Sequence, residues 1–477
     1  TALNASGTTR SNNGSITITG TTAGTGTAVS LGVMTITGGT GSLSVTGTLA
    51  AAGGNTGITQ TGAITIGSNG GNVSFTSNNK ITQSGAISIA ANTSGASSSV
   101  TYDTGTGTSA SSISAGALSI TAGSSASINY SILASGANIT IGSAISVPGT
   151  IKLDNTYLNG VDFGINASNI ATKATTGQGI TMGGALTAAN LSNTSTAILI
   201  GGVTAANYGV NLYANITATQ GDIVIKGQTG NSAGGPGVYT QSATAITANS
   251  GNIYISGSAT TTGTGNQGVY LNATSGNIAA SGDVTIAGIS NAAASTGMVV
   301  GVQYQQYILA GGNIYIGGDG SYAGVFANSM TVAKNGNLTM AGASLDSNGW
   351  AVFDATKAAT GRTLSGSKGI NSNPNSATNV TISTGPVTGT FNGLVAGGDI
   401  NMWGYANGGY GLLQYYNITA GGNITLTGQN QQYGAAAVSY GLFVSDTGNI
   451  ISNNGSINIY GSQYNATSAN QGAVEIQ

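Results

Sequence analysis

The sequence predicts an all-β chain, a parallel β-helix (β-solenoid) with three short strands per coil and about 20–31 residues per coil. Three observations carry that prediction. The segment Gly251-Asn-Ile-Tyr-Ile-Ser-Gly257 recurs as Gly221-Asp-Ile-Val-Ile-Lys-Gly227, Gly282-Asp-Val-Thr-Ile-Ala-Gly288, Gly312-Asn-Ile-Tyr-Ile-Gly-Gly318 and Gly422-Asn-Ile-Thr-Leu-Thr-Gly428. Inside each copy apolar and polar residues alternate, the period-two signature of a half-buried strand whose successive side chains point to opposite faces. Glycines bracket the copies, marking corners where a Cβ would obstruct the backbone. No stretch shows helical periodicity.

The second half sets the period. Corner glycines at 221, 251, 282 and 312 are separated by 30, 31 and 30 residues, and those at 336, 398, 422 and 455 follow with steps of 24, 62 (read as twice 31), 24 and 33. A second strand start lies upstream of most corners, at Gly209-Val, Gly237-Val, Gly268-Val, Gly324-Val, Gly411-Leu and Gly441-Leu. Between the two, an isolated apolar residue such as Ile216, Ile246 or Ile278 supplies a third strand. In the first half, Gly14-Ser-Ile-Thr-Ile, Gly41-Ser-Leu-Ser-Val, Gly62-Ala-Ile-Thr-Ile and Gly85-Ala-Ile-Ser-Ile read as the same strand at shorter steps of 27, 21 and 23. Seventeen of the 20 Tyr lie after residue 200. The chain thus divides into a Thr/Ser-faced segment, 1–200, and a Tyr-decorated segment, 201–477, with coils of about 30 residues. The pattern lapses over 148–175 and 343–390, which read as loop excursions on one solenoid face. About 16 to 20 coils at ~4.8 Å each would make a rod on the order of 75–95 Å long.

Within each copy, the apolar pairs Ile253/Ile255, Ile314/Ile316 and Ile424/Leu426 should point inward and stack on their counterparts one coil away. Tyr254, Tyr315 and Thr425 should point outward, since a one-residue slip would invert every side chain.

Composition excludes several function classes. The chain has 477 residues, 81 Gly, 4 Pro, 4% charged residues and a formal net charge of −2. So few cations leave no electrostatic footprint for nucleic acid. With no Cys and no His, disulfides and the commonest metal ligands and general base are missing, so no cofactor or metal is expected. A Cys-free β chain fits export through a bacterial envelope, and no apolar run approaches the roughly 20 residues of a membrane helix. A start at Thr1 with no signal peptide suggests a processed product or a window of a longer chain.

The Gly-Asn-Ile-x-Ile/Leu-x-Gly segments at 251, 312 and 422 resemble the repeat region of filamentous haemagglutinin-like β-helical bacterial exoproteins and adhesins. The resemblance implies a right-handed parallel β-helix exported to the cell surface or the medium. That family's secretion domain carries an Asn-Pro-Asn-Gly signature, whereas Asn373-Pro-Asn-Ser376 is mid-chain and lacks the glycine. The resemblance is therefore confined to the repeats.

Candidate chemistry yields to architecture at most positions. Asp222, Asp283 and Asp399 follow corner glycines where other copies carry Asn252, Asn313, Asn337 and Asn423, and a turn accepts either residue. Glycosidase chemistry needs two converging carboxylates, and a lyase needs a clustered base; Arg10 and Arg362 are far apart. Stacked Asn should form a ladder, each amide donating to the next. Outward pairs Thr17/Thr19, Thr35/Thr37, Ser44/Thr46 and Ser74/Thr76 allow an ice-binding face. Their second-half counterparts, such as Tyr254/Ser256 and Asn458/Tyr460, would break its flatness. Tyr304/Tyr307, Tyr415/Tyr416 and the Tyr-Gly pairs at 208, 410 and 440 suit lateral contact with a neighbouring rod or stacking on sugars. Asn166 and Asn417 begin two of many Asn-x-Ser/Thr glycosylation triplets.

The expected function is structural and non-catalytic: an extracellular fibre or surface-adhesin segment, stacking end to end in a filament or a longer repetitive chain. A host-surface or glycan ligand is a possible partner, and neither nucleic acid nor a membrane span is expected. The alternatives are a carbohydrate-binding or carbohydrate-cleaving β-helix, on a phage tail or secreted, and an ice-binding solenoid. The end-to-end contact is placed at Thr1, Ala2, Leu3, Gly472, Ala473, Val474, Glu475, Ile476 and Gln477. Ser11–Gly20 is nearly the decapeptide Ser452–Gly461, so residues 472–477 set before 1–20 read as one further coil.

Overall fold

Alternation becomes strand in both halves of the chain. A computed structural model describes residues 1–39, 41–50, 55–67, 71–90, 98–104, 113–116, 118–121, 128–133, 139–155, 179–190, 196–230, 235–241, 243–259, 266–273, 275–290, 299–320, 322–344, 368–372, 379–406, 410–415, 417–430, 439–445, 448–464 and 471–477. By internal contacts it divides into two compact units, Thr1–Ile225 and Lys226–Gln477. Within each unit the chain visits three parallel sheets in fixed order, each strand pairing with the equivalent strand one coil away. Each unit is a right-handed parallel β-helix. Backbone N–H and C=O groups find their partners in the coils before and after, so a coil is satisfied only when both neighbours are present.

In the second unit the third sheet runs from Ile253–Ala259 through Val284–Ser290, Ile314–Gly320, Leu338–Ser344, Ile400–Ala406 and Ile424–Asn430 to Ile457–Gln463. Ile253, Val284, Ile314, Leu338, Ile400, Ile424 and Ile457 stand in one register row. All but Ile457 are buried, each worth about 1.5–3 kcal/mol of apolar transfer. The Ile253/Ile255, Ile314/Ile316 and Ile424/Leu426 pairs do point inward, while Tyr254 is exposed and Tyr315 and Thr425 half-exposed. Ile246 and Ile278 lie in the second sheet, and Val238, Val269, Val325, Leu412 and Leu442 in the first.

Several expectations need correction. Ile64 and Ile87, of the Gly62 and Gly85 copies, pair with Met34 and Leu118 in the second sheet, whereas Ile16 and Leu43 belong to the third. The third-sheet row of the first unit instead continues Leu43, Val73, Val100, Tyr130, with steps of 30, 27 and 30. The step of 21 joined strands of two different sheets, which carry the same local alternation. Likewise Leu338 pairs directly with Ile400, so the step of 62 is one enlarged coil. That coil holds the first-sheet strand Lys368–Ser372 and an antiparallel hairpin, Val380–Ile382 with Gly389–Phe391. The remainder of 343–390, including Asn373–Ser376, lies largely outside the described residues, as do residues 156–178 of the earlier lapse.

The hairpin explains an irregularity of the second sheet. Its outward row changes from Thr247 to Ala279, Leu309, Val332 and Val395. Ile382 and Val387 of the hairpin close over Ala279, Leu309, Met330 and Val332, with Tyr307, Val380, Phe391 and Val395 packed at the margin. Outward apolar residues are stable here because the excursion covers them.

Tyr304 is a core residue, not a surface one. Its side chain is fully buried, and its hydroxyl and that of Thr331 lie 2.8 Å apart in a hydrogen bond. In the first unit Phe75, Tyr102 and Tyr130 form an internal stack, with ring centroids 5.1 and 5.8 Å apart. Tyr410 and Tyr440 do stack on the outside at 6.0 Å, with Phe443 against both. Tyr416 and Asn166 lie outside the described residues.

Candidate functional site

The Gly-Asx corner is the most repeated feature, and its mechanism differs from an amide-to-amide ladder. The Asp283 backbone N–H donates to Asn252 Oδ1 at 2.8 Å, and the Asn313 N–H to Asp283 Oδ1 at 2.7 Å. The row continues from Asn337 N–H to Asn313 (2.9 Å), Asp399 N–H to Asn337 (2.8 Å), Asn423 N–H to Asp399 (2.6 Å) and Ser456 N–H to Asn423 (2.9 Å). What each coil needs is a side-chain oxygen that accepts from the next coil's backbone, and Asp, Asn and Ser all supply one. In the first unit Ser15, Ser42, Asn72 and Ser99 build the same row. Side-chain amide donation occurs at Asn313 and Asn423, both times to an Asp.

The corner glycine makes room for that oxygen. A Cβ on Gly282, Gly312, Gly398 or Gly422 would overlap the acceptor oxygen of Asn252, Asp283, Asn337 or Asp399. Among the repeated-strand corners Gly221 has a positive φ, of 84°. Gly282, Gly312, Gly398 and Gly422 are glycine because two coils approach closely there, not because the backbone turns left-handed.

Asp283→Asn is therefore expected to leave stability within about 0.5 kcal/mol, whereas Asp283→Leu should cost about 1 kcal/mol by removing the acceptor of the exposed Asn313 N–H. Urea unfolding of both variants checks this; equal losses would remove the acceptor argument.

Asp283 and Asp399 do not converge. Asp283 and Asp399 are three steps apart along the row, about 14 Å at ~4.8 Å per coil, beyond the 5–9.5 Å that glycoside cleavage uses. Arg10 pairs in register with Thr35 of the second sheet, and Arg362 lies outside the described residues. Among the described residues no group of three His, Cys, Asp or Glu gathers to hold a metal, and no helix is long and apolar enough to cross a membrane. The outward Thr pairs split between faces: Thr17, Ser44 and Ser74 align on the third sheet, Thr35 and Thr65 on the second.

The end-contact residues lie on strand edges. Leu3–Ala5 pairs with Val29–Leu31, and Gln471–Ile476 pairs with Ser439–Val444. Thr1, Ala2, Leu3, Ala473, Val474, Ile476 and Gln477 are exposed, and Gly472 and Glu475 half-exposed. Ile476 reaches 58% exposure, Ile457 beside it in the same coil end 45%. One expectation is overturned: the first coil already owns its first-sheet strand, Leu3–Ala5, so residues 472–477 cannot complete it. A first-sheet position holds one strand per coil, and the two segments can only stack as successive strands.

A cleft absent from the expectations above opens beside the hairpin. It has a volume of about 320 Å³ and lies between Phe391 and the outer surface of the second sheet at Thr419 and Ile451. Asn417 frames it from the corner, its Oδ1 accepting the Asn449 N–H at 2.9 Å. The signal in the sequence was slight: Asn417 and Asn449 occupy matching corner positions, but the hairpin residues come from an unpatterned stretch. No family model, curated protein or solved structure matches this chain.

Proposed function

We propose that this chain is a structural segment of an extracellular fibre or surface adhesin, resembling the repeat region of filamentous haemagglutinin-like exoproteins. It acts by repetition and stiffness, without catalysis. The observation that carries the reading is the stacking of like coils within each unit, each strand hydrogen-bonded to the equivalent strand one coil away. Strand edges at Leu3–Ala5 and Gln471–Ile476, with Leu3, Val474 and Ile476 exposed, present unpaired backbone and apolar surface. Further coils of the same kind, from the same polypeptide or a second copy, would pair those edges and bury those side chains. The low charge, the absence of Cys and the dispersed carboxylates support an exported scaffold over an enzyme. The Thr rows, split over two faces, do not favour ice binding.

The test is light scattering and electron microscopy of the purified chain beside a Val474→Lys/Ile476→Lys variant. The unaltered chain is expected to associate with rising concentration into elongated particles, and the variant to remain monomeric, because lysines on an edge strand block pairing. An unaltered chain that stays monomeric at every concentration would overturn end-to-end association.

A further inference from the structure

We propose that the cleft beside the hairpin binds a single neutral pyranose ring. The proposal deepens the adhesin part of the reading above by naming a ligand class and a site.

The cleft is built rather than incidental. The hairpin is anchored by Ile382 and Val387, both buried against the second sheet. The chain leaves it through Gly393 at φ 72°, a left-handed conformation that favours glycine. A Cβ there would overlap the Asn417 carbonyl oxygen, so the glycine lets the hairpin's return strand close against the Asn417 corner. Gly389, at φ 146°, performs a similar service for Phe391: a Cβ on it would stand 2.7 Å from the ring. The aromatic ring is thereby held at the cleft wall.

Its chemistry is that of a sugar site. Four side-chain amides, Asn379, Asn392, Asn417 and Asn449, stand around apolar surface from Phe391 and Ile451. An amide offers a donor pair and an acceptor in one plane, matching the adjacent hydroxyls of a pyranose. The apolar surface suits the C–H face of the same ring. Ile451 is 45% exposed, on an outward row whose preceding member is Thr419, and a bound ring would cover it. No lining residue is charged, which leaves nothing to neutralise a phosphate, a carboxylate or an amine. The volume of about 320 Å³ lies at the low end of small-ligand sites, which run from about 300 to 1,000 Å³. That suits one ring with its neighbours in solvent, as at a glycan terminus.

The experiment is saturation-transfer NMR on the full chain with the methyl glycosides of glucose, galactose, mannose and N-acetylglucosamine, and with a methyl sialoside as anionic comparison. Transfer to at least one neutral glycoside is expected, concentrated on ring C–H protons. Asn449→Ala and Ile451→Asp, both at exposed positions that leave the hairpin anchor untouched, should weaken binding about tenfold. No transfer from any neutral glycoside, transfer unaffected by both variants, or preference for the sialoside would each overturn the proposal. Light scattering on the same samples keeps the outcomes apart: a chain that assembles but takes no sugar loses this inference and retains the fibre reading.

Discussion

Gly288→Ala is expected to destabilise the second unit by about 3 kcal/mol or more. Gly288 belongs to a register row, Gly257, Gly288, Gly318, Gly342, Gly404, Gly428 and Gly461, at the corner where the third sheet hands over to the first. A Cβ there would overlap the Gly301 carbonyl oxygen and stand 2.7 Å from Val302 Cγ2. The obstacle is backbone, which no rotamer change can move. Relief would require the third-sheet strand and the first-sheet strand that follows it to move apart, straining the hydrogen bonds each makes to the coils beside it. Gly142, with nothing within 4 Å of a built Cβ, is the control: Gly142→Ala should be neutral or slightly stabilising. Chemical unfolding of both variants decides the matter, and similar curves would refute the close-approach account of the glycine rows.

Alkaline solution should unfold the chain from the inside. Burial raises the Tyr102 hydroxyl well above its ordinary value of 10, with the neighbouring Tyr130 adding to it, and burial raises Tyr130 and Tyr304 likewise. Because the folded pKa lies above the unfolded one, the stabilising contribution is complete below about pH 10. It is lost as pH rises above that, where the unfolded chain ionises and the folded chain cannot. Each such tyrosine should cost about 1.4 kcal/mol per pH unit, or about 4 kcal/mol for the three together. Half-buried Tyr315, raised to about 12, adds a smaller share. Circular dichroism and tyrosinate absorbance, followed together from pH 8 to 12, should show a late group of tyrosines ionising only as strand signal disappears. Tyr130→Phe should move that transition to higher pH, because it removes one of the buried hydroxyls that must ionise on unfolding. Smooth ionisation of all tyrosines without loss of structure would count against the buried assignment.

The functional surfaces were legible in unequal measure. The last strand could be read from the alternation of Ala473, Val474, Glu475 and Ile476, whereas Leu3–Ala5, only three residues long, was missed as a strand. The cleft could not be read, since Phe391 and Ile451 are 60 residues apart and meet only through the hairpin's docking. Tyr304 was misplaced because its Tyr-Gln-Gln-Tyr surroundings look solvent-facing, while register sets it in the first-sheet row with Leu271 and Ala327.

By itself the sequence determined the class of fold, the strand faces and the interchangeability of Asp and Asn. Those properties depend on residue alternation and on which atoms a side chain carries, both local. Only the tertiary structure decided which sheet each strand joins, that the 62-residue step is a single coil, and that the glycine rows serve inter-coil contact. Short strands of equal alternation carry no mark of their sheet. Membership is set by backbone hydrogen bonds to coils 20 to 60 residues away, and those are made only when the whole coil closes.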